Sequence, residues 1–320
     1  MRNALTSGRE MLAVMCRVKN RLAYVHGDTP NSPMNEQLSS DSVAQIKRHE
    51  VSLGTERLSV LCAGSDGGAS IILIHGLGWD AARLWSAQMQ RLAVAGWRVL
   101  APDLRGNGRS SPIRAELRVP DLAEDVAAML ETLAIERPVL VGFSMGGMVA
   151  ADLALRPGTD PAGLVIACGG VTCPPEAEAA TNAMLAKAAE LGPEAFARAQ
   201  AQAIFAPEWA ARNPQAVAEF QIWRAQMDQE SLRHSFRAPF GCDYAPRLGA
   251  IECPSAVFAA AEDSFVDLND ARALAARLPD AQFEVIPDTG HMAPIEAPEA
   301  FDDALSRFLL RVALRPEPRA

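Results

Sequence analysis

The chain reads as an α/β protein: a mostly parallel sheet with helices on both faces and a helical lid inserted in its second half. Three observations point there. Short apolar runs alternate with longer amphipathic stretches, as a parallel sheet wrapped in helices requires. One run, Val139-Leu140-Val141, feeds straight into Gly142-Phe143-Ser144-Met145-Gly146-Gly147, a strand-to-helix turn with a serine at its apex. Finally, roughly 85 residues between the apolar runs at 163–168 and 255–260 show helical but no strand periodicity. That is too long for a structureless loop in a compact domain.

Taken in order, residues 49–54 and 57–63 predict an opening hairpin turned at Gly54-Thr55. Sheet strands follow near 70–75, 97–101, 137–143, 163–168, 255–260 and 282–287. Residues 121–134 carry Leu122, Val126, Met129 or Leu130, and Leu133 at one-face helical spacing. The last helix, 298–313, places Phe301, Leu305, Phe308 and Leu309 on one stripe. Between them, 176–191, 193–205 and 214–237 are alanine-rich and amphipathic. The chain therefore divides into a core of 46–170 and 247–314 and a lid of 171–246 over the sheet's C-terminal edge, where open α/β sheets bind ligands. Residues 1–45 read as a disordered extension, or as upstream sequence before a true start at Met34. The first 33 residues carry a net charge of +3 against −12 for the rest. Their apolar stretch at 11–16 is shorter than the ~7–15 residues of a signal-peptide core.

Composition narrows the function. A net charge of −9 and a pI near 5.2 do not attract nucleic acid or anionic membrane. No run approaches the ~18 apolar residues of a membrane span. The six cysteines (Cys16, Cys62, Cys168, Cys173, Cys242, Cys253) show no Cys-x-x-Cys and no Cys/His ligand spacing. A reduced, cytoplasmic set of thiols is expected, with no metal and no cofactor.

The chemistry gathers around Ser144. The turn is so tight that the residues two before and two after the serine nearly touch, hence Gly142 and Gly146. The following helix points its N-terminus at the serine and favours negative charge there. A serine hydroxyl needs an imidazole to take its proton. Of His26, His49, His75, His234 and His291, the last follows the final strand in a loop and is the candidate base. His75 reads as shaping the loop after an early strand. A carboxylate must orient the imidazole, and the loop after the strand at 255–260 offers Asp263, with Glu262 and Asp267 as alternatives. The order is Ser, Asp, His. Two N–H groups should face a developing oxyanion: that of Met145, next to the nucleophile, and that of Leu77 in His75-Gly76-Leu77-Gly78-Trp79. Candidate substrate contacts are Trp79, Arg105, Phe143, Trp209 and Trp223. Arg105, Trp79 and Arg224 are the groups suited to a substrate carboxylate. The insertion's aromatic residues either line a pocket or hold the insertion down.

These motifs resemble the α/β-hydrolase superfamily over residues 48–313. Asp103-Leu104-Arg105-Gly106-Asn107-Gly108-Arg109-Ser110 is similar to that family's Asp-x-Arg-Gly-x-Gly-x-Ser turn, and Trp85 stands where the family often has a tryptophan in its first helix. Within the superfamily the chain resembles 3-oxoadipate enol-lactonases in Ser144-Met145-Gly146-Gly147-Met148, Gly192-Pro193-Glu194-Ala195-Phe196 and Phe205-Ala206-Pro207-Glu208-Trp209. It departs from them at His75-Gly76, usually Asn-Ser, and at Asn107, usually histidine. The resemblance implies hydrolysis of a small carboxylic ester or lactone through an acyl-enzyme on Ser144, Asp263 and His291. The expected partner is that small molecule, with a homodimer allowed. A carbon–carbon bond hydrolase or perhydrolase on the same triad, or a hydrolase-like ligand sensor, are the alternatives.

Overall fold

The structure, a computed structural model, describes residues 44–314. The expectations for residues 1–43, including Cys16, His26 and Met34, lie outside the described residues.

Eight strands form one sheet: β1 (Lys47–Leu53), β2 (Glu56–Ala63), β3 (Ser70–Ile74), β4 (Arg98–Asp103), β5 (Val139–Phe143), β6 (Gly163–Ala167), β7 (Ser255–Ala260) and β8 (Ala281–Ile286). Their spatial order is β1-β2-β4-β3-β5-β6-β7-β8. Only β2 runs against its neighbours, pairing antiparallel with β1 and with β4, and every other pair is parallel. The opening hairpin thus caps a parallel sheet whose central strands are buried on both faces. Burial on both faces explains why β3, β5 and β6 are continuous apolar runs.

Alternation along each strand divides the core in two. On β3, Ile72 and Ile74 join Leu140, Leu164 and Val257 on one face. Ile71 and Leu73 join Val141, Val165 and Phe258 on the other. The first face is covered by α2 (Val119–Thr132), α3 (Met145–Leu155) and α9 (Leu268–Arg277) through Leu122, Val126, Met129, Val149 and Leu274. The second is covered by α1 (Ala81–Val94) and α11 (Pro298–Ala313) through Trp85, Met89, Phe301, Leu305 and Phe308. Trp85 is fully buried and meets Phe143 edge-on and Phe301 at a tilt.

Between β6 and β7 lie α4 (Pro175–Leu191), α5 (Pro193–Ile204), α6 (Pro207–Arg212), α7 (Pro214–Ala225), α8 (Gln229–Arg237) and a 3₁₀ turn, Ala245–Ala250. Four of these helices start on proline, whose missing N–H costs nothing in a first turn. The stretch 214–237, continuous in periodicity, breaks into α7 and α8. The Asp228 side chain accepts from Glu230 and Ser231 N–H and so starts a new helix there. The insertion's two ends pair with each other: Thr172 bridges Asp243, and Tyr244 N–H donates to Val171 O at 3.0 Å. No helix among the described residues is long and apolar enough to cross a membrane.

Candidate active site

Every parallel strand ends at the same edge of the sheet, and three loops at that edge meet. The first is the turn from β5 into α3. Ser144 sits there at φ 54°, ψ −123°, a left-handed conformation that a side chain enters only when its surroundings impose it. A Cβ on Gly142 would come within 2.2 Å of Gly146 O, and one on Gly146 within 2.4 Å of Ile74 O. Glycine is required at both by close approach of backbone. A third glycine, Gly169, is under the same constraint, since its Cβ would lie 2.6 Å from Ser144 O. Ser144 N–H donates to Ala167 O at 2.8 Å, tying the turn to the end of β6.

The second loop follows β8 and carries His291, whose Nε2 lies 3.1 Å from Ser144 Oγ. The third follows β7 and carries Asp263, whose Oδ2 and Oδ1 lie 2.9 and 3.1 Å from His291 Nδ1. Asp263 Oδ1 also accepts from Phe265 and Val266 N–H, at 2.8 and 3.2 Å, so the carboxylate is itself oriented. Glu262 and Asp267 stand elsewhere: Asp267 caps α9 by accepting from Asn269 N–H at 2.7 Å. With Nδ1 protonated, His291 donates to Asp263 and leaves Nε2 free to accept the serine proton.

Leu77 and Met145 both border the cavity that holds Ser144 and His291. Met145 opens α3, so its N–H has no acceptor within the helix. His75 is buried beneath the loop. Its Nε2 accepts from Leu104 N–H at 2.9 Å, joining the ends of β3 and β4. Burial holds its pKa below the usual imidazole range.

The cavity is about 520 Å³. Its floor is Leu77, Phe143, Met145, Met148 and Gly169, and its roof comes from α4, α5 and α8 through Met184, Phe196, Ala203, Ile204 and Phe236. Trp79 and Phe143 line it. Arg105, Trp209 and Trp223 do not. Arg105 is held in an ion pair with Asp125 on α2. Trp209 stacks on Phe205 at 4.9 Å, and Trp223 packs against Trp79 at 5.3 Å. Most insertion aromatics thus pack the insertion onto the core. Arg224 does reach the cavity.

Sequence reading passed over one residue beside this site. Glu296, in the short helix α10 (Ala293–Glu296), is buried and accepts three backbone N–H bonds at 3.0 Å each. Gly290 and Met292, which flank His291, supply two of them, and Ala206 of the insertion supplies the third. One carboxylate clamps both sides of the histidine and fastens the insertion to it. Burial raises its pKa, and those N–H bonds pull it back. Nothing local in the sequence marks this glutamate apart from any other helical one.

Comparison with known proteins adds to this geometry. A family model for the α/β hydrolase fold matches residues 69–298. A curated relative, the "Putative carbamate hydrolase RutD" of Variovorax paradoxus, is 33% identical over 258 residues, 78% of this chain and 95% of the relative. A thermophilic esterase from Thermogutta terrifontis superposes with a TM-score of 0.76 at 27% identity, covering 83% of this chain and 99% of that one. The enol-lactonase from Burkholderia xenovorans gives 0.75 at 25%, covering 82% and 100%.

Proposed function

The chain belongs to the α/β hydrolase fold family, and within it we propose that it is a serine hydrolase cleaving a small carboxylic ester or lactone through an acyl-enzyme. The carrying observation is the relay itself: Ser144 Oγ is 3.1 Å from His291 Nε2, and His291 Nδ1 is 2.9 Å from Asp263 Oδ2, in a cavity of substrate size. In the first step, His291 Nε2 takes the Ser144 proton as Oγ bonds to the carbonyl carbon. The resulting oxyanion accepts from Leu77 and Met145 N–H. The C–O bond then breaks, and the imidazolium returns its proton to the leaving oxygen. Water repeats the cycle: His291 takes its proton, hydroxide oxygen bonds to the acyl carbon, and Ser144 Oγ leaves with the proton restored. For a lactone the leaving oxygen stays tethered, and one hydroxy or keto acid is released. Asp263 holds the imidazole in the productive tautomer and balances its charge. No step in this scheme calls for a cofactor, and the expected setting is the cytoplasm.

The Variovorax relative favours a second reading, a carbamate substrate, which the same relay would cleave. The test is a panel of nitrophenyl esters from acetyl to octanoyl, simple lactones and nitrophenyl carbamates, comparing wild type with Ser144→Ala. Ester or lactone turnover that falls about 10³-fold or more in the variant is the expected result. Turnover confined to carbamates moves the second reading ahead. Turnover unaffected by the variant overturns both.

A further inference from the structure

Arg224 is the least explained charge among the described residues. It is 2% exposed, and neither its Nε nor its Nη1 has a hydrogen-bond partner. No carboxylate among the described residues pairs with it. Its guanidinium lies over the rings of Phe220 and Trp223, 5.1 and 5.3 Å from their centroids. A buried cation without an anion is expensive, and a fold does not carry one without return. Burial lowers its pKa to about 9, which still leaves a cation at neutral pH.

Two further observations give it a purpose. Arg224 lines the cavity that holds Ser144 and His291, and among the described residues no aspartate or glutamate lines that cavity, although the chain carries a net charge of −9. Lys187 also borders the cavity, from α4, but it is largely exposed and its Nζ pairs with Glu190 Oε2 at 3.1 Å. Arg224 also presses on the oxyanion loop: a Cβ on Gly78, beside Leu77, would fall 1.9 Å from Arg224 Nη1. Gly78, at φ +59°, therefore clears the space that lets the guanidinium stand against the loop that carries Leu77.

We propose that Arg224 is a carboxylate-binding residue, and that the natural substrate is an ester or lactone that also bears a free carboxylate. The inference rests on the acyl-enzyme reading above. A substrate carboxylate in the cavity would supply the anion that the guanidinium lacks, in the paired geometry arginine favours. The stacked Phe220 and Trp223 rings hold the side chain in place for it.

The test compares 4-nitrophenyl hydrogen adipate with 4-nitrophenyl hexanoate, which share a chain length and differ in the terminal carboxylate. Wild type should favour the adipate in kcat/KM by about 10- to 100-fold, the range for a hydrogen bond to a charged group. Arg224→Met should bring that ratio close to one, mainly through KM, while Arg224→Lys, which keeps a cation, should retain part of it. Without ligand, Arg224→Met should also unfold at a higher temperature than wild type, because it removes an unpaired buried charge. A separate measurement does not depend on turnover: monomethyl adipate should bind the Ser144→Ala protein calorimetrically, and at least about 10-fold more weakly when Arg224→Met is added. A wild-type ratio near one, or equal losses on both esters in Arg224→Met, would overturn the carboxylate site. If neither ester is cleaved but adipate monoester binds through Arg224, the acyl-enzyme reading fails and the site stands.

Discussion

Replacing Glu296 by alanine removes the acceptor for three buried N–H groups at once, those of Ala206, Gly290 and Met292. Each orphaned buried donor costs about 1–3 kcal/mol. The charged carboxylate is itself disfavoured by burial, as its raised pKa shows, and losing it offsets part of that sum. A net loss of about 3 kcal/mol is expected, at the upper end of single substitutions. Glu296→Gln keeps one acceptor oxygen. Placed where Oε2 stands, that oxygen still serves Gly290 and Ala206, and the amide faces Met292 N–H donor to donor. One lost bond predicts about 1–2 kcal/mol. Urea unfolding at neutral pH reads both values, and an unchanged m-value shows that the unfolded state is not the cause. Because two of the three donors flank His291, kcat on a reactive ester should fall in the same order, with KM changing less. An alanine variant within about 0.5 kcal/mol of wild type, with kcat intact, would refute the clamp.

Three further outcomes follow from the same geometry. Gly146→Ala puts a Cβ 2.4 Å from Ile74 O and 2.7 Å from His75 O. It should destabilise the protein by about 1–3 kcal/mol in urea unfolding and cut ester turnover far more, since the elbow must shift. Asp263→Asn keeps the shape but loses control of the His291 tautomer, and kcat should drop by about 10³- to 10⁴-fold in steady-state assays. Burial raises the Asp125 carboxyl to about 6 even beside Arg105, so the folded chain takes up that proton before the unfolded chain does. Wild type should therefore lose stability relative to Asp125→Asn as pH rises from about 4 to about 6, by on the order of 2–3 kcal/mol. A flat difference across that range would contradict the assignment.

Much of the candidate site is written in local sequence. Gly142, Ser144 and Gly146 announce their turn because only backbone contact explains two glycines around a serine. The buried strands β3, β5 and β6 declare themselves as unbroken apolar runs bounded by glycine or proline. Asp263 and His291 are legible from their places just after strands, since parallel strands deliver their following loops to one edge. What stays hidden depends on docking between distant elements. Whether Trp209 and Trp223 face the cavity or the core depends on how α6 and α7 settle, and their helical spacing is silent on that. Arg105 has a surface arginine's sequence, and only the arrival of Asp125 from α2 removes it from the substrate's reach. The break between α7 and α8 had a visible signal in the Asp228 cap, which a continuous amphipathic period outweighed. Arg224 stands in the sequence as one of three groups suited to a substrate carboxylate, and only its burial and lack of a partner separate it from Arg105. Glu296 looks ordinary in one dimension and becomes informative through its burial and its three partners.

The central claim is that Ser144 forms the covalent intermediate. Incubation with a fluorophosphonate, followed by intact-mass measurement and peptide mapping, tests it directly. One adduct per chain on Ser144, absent from Ser144→Ala and formed much more slowly in a His291→Ala variant, is the predicted result. An adduct on another residue, or an unmodified Ser144 in protein that still hydrolyses its substrates, would contradict the account.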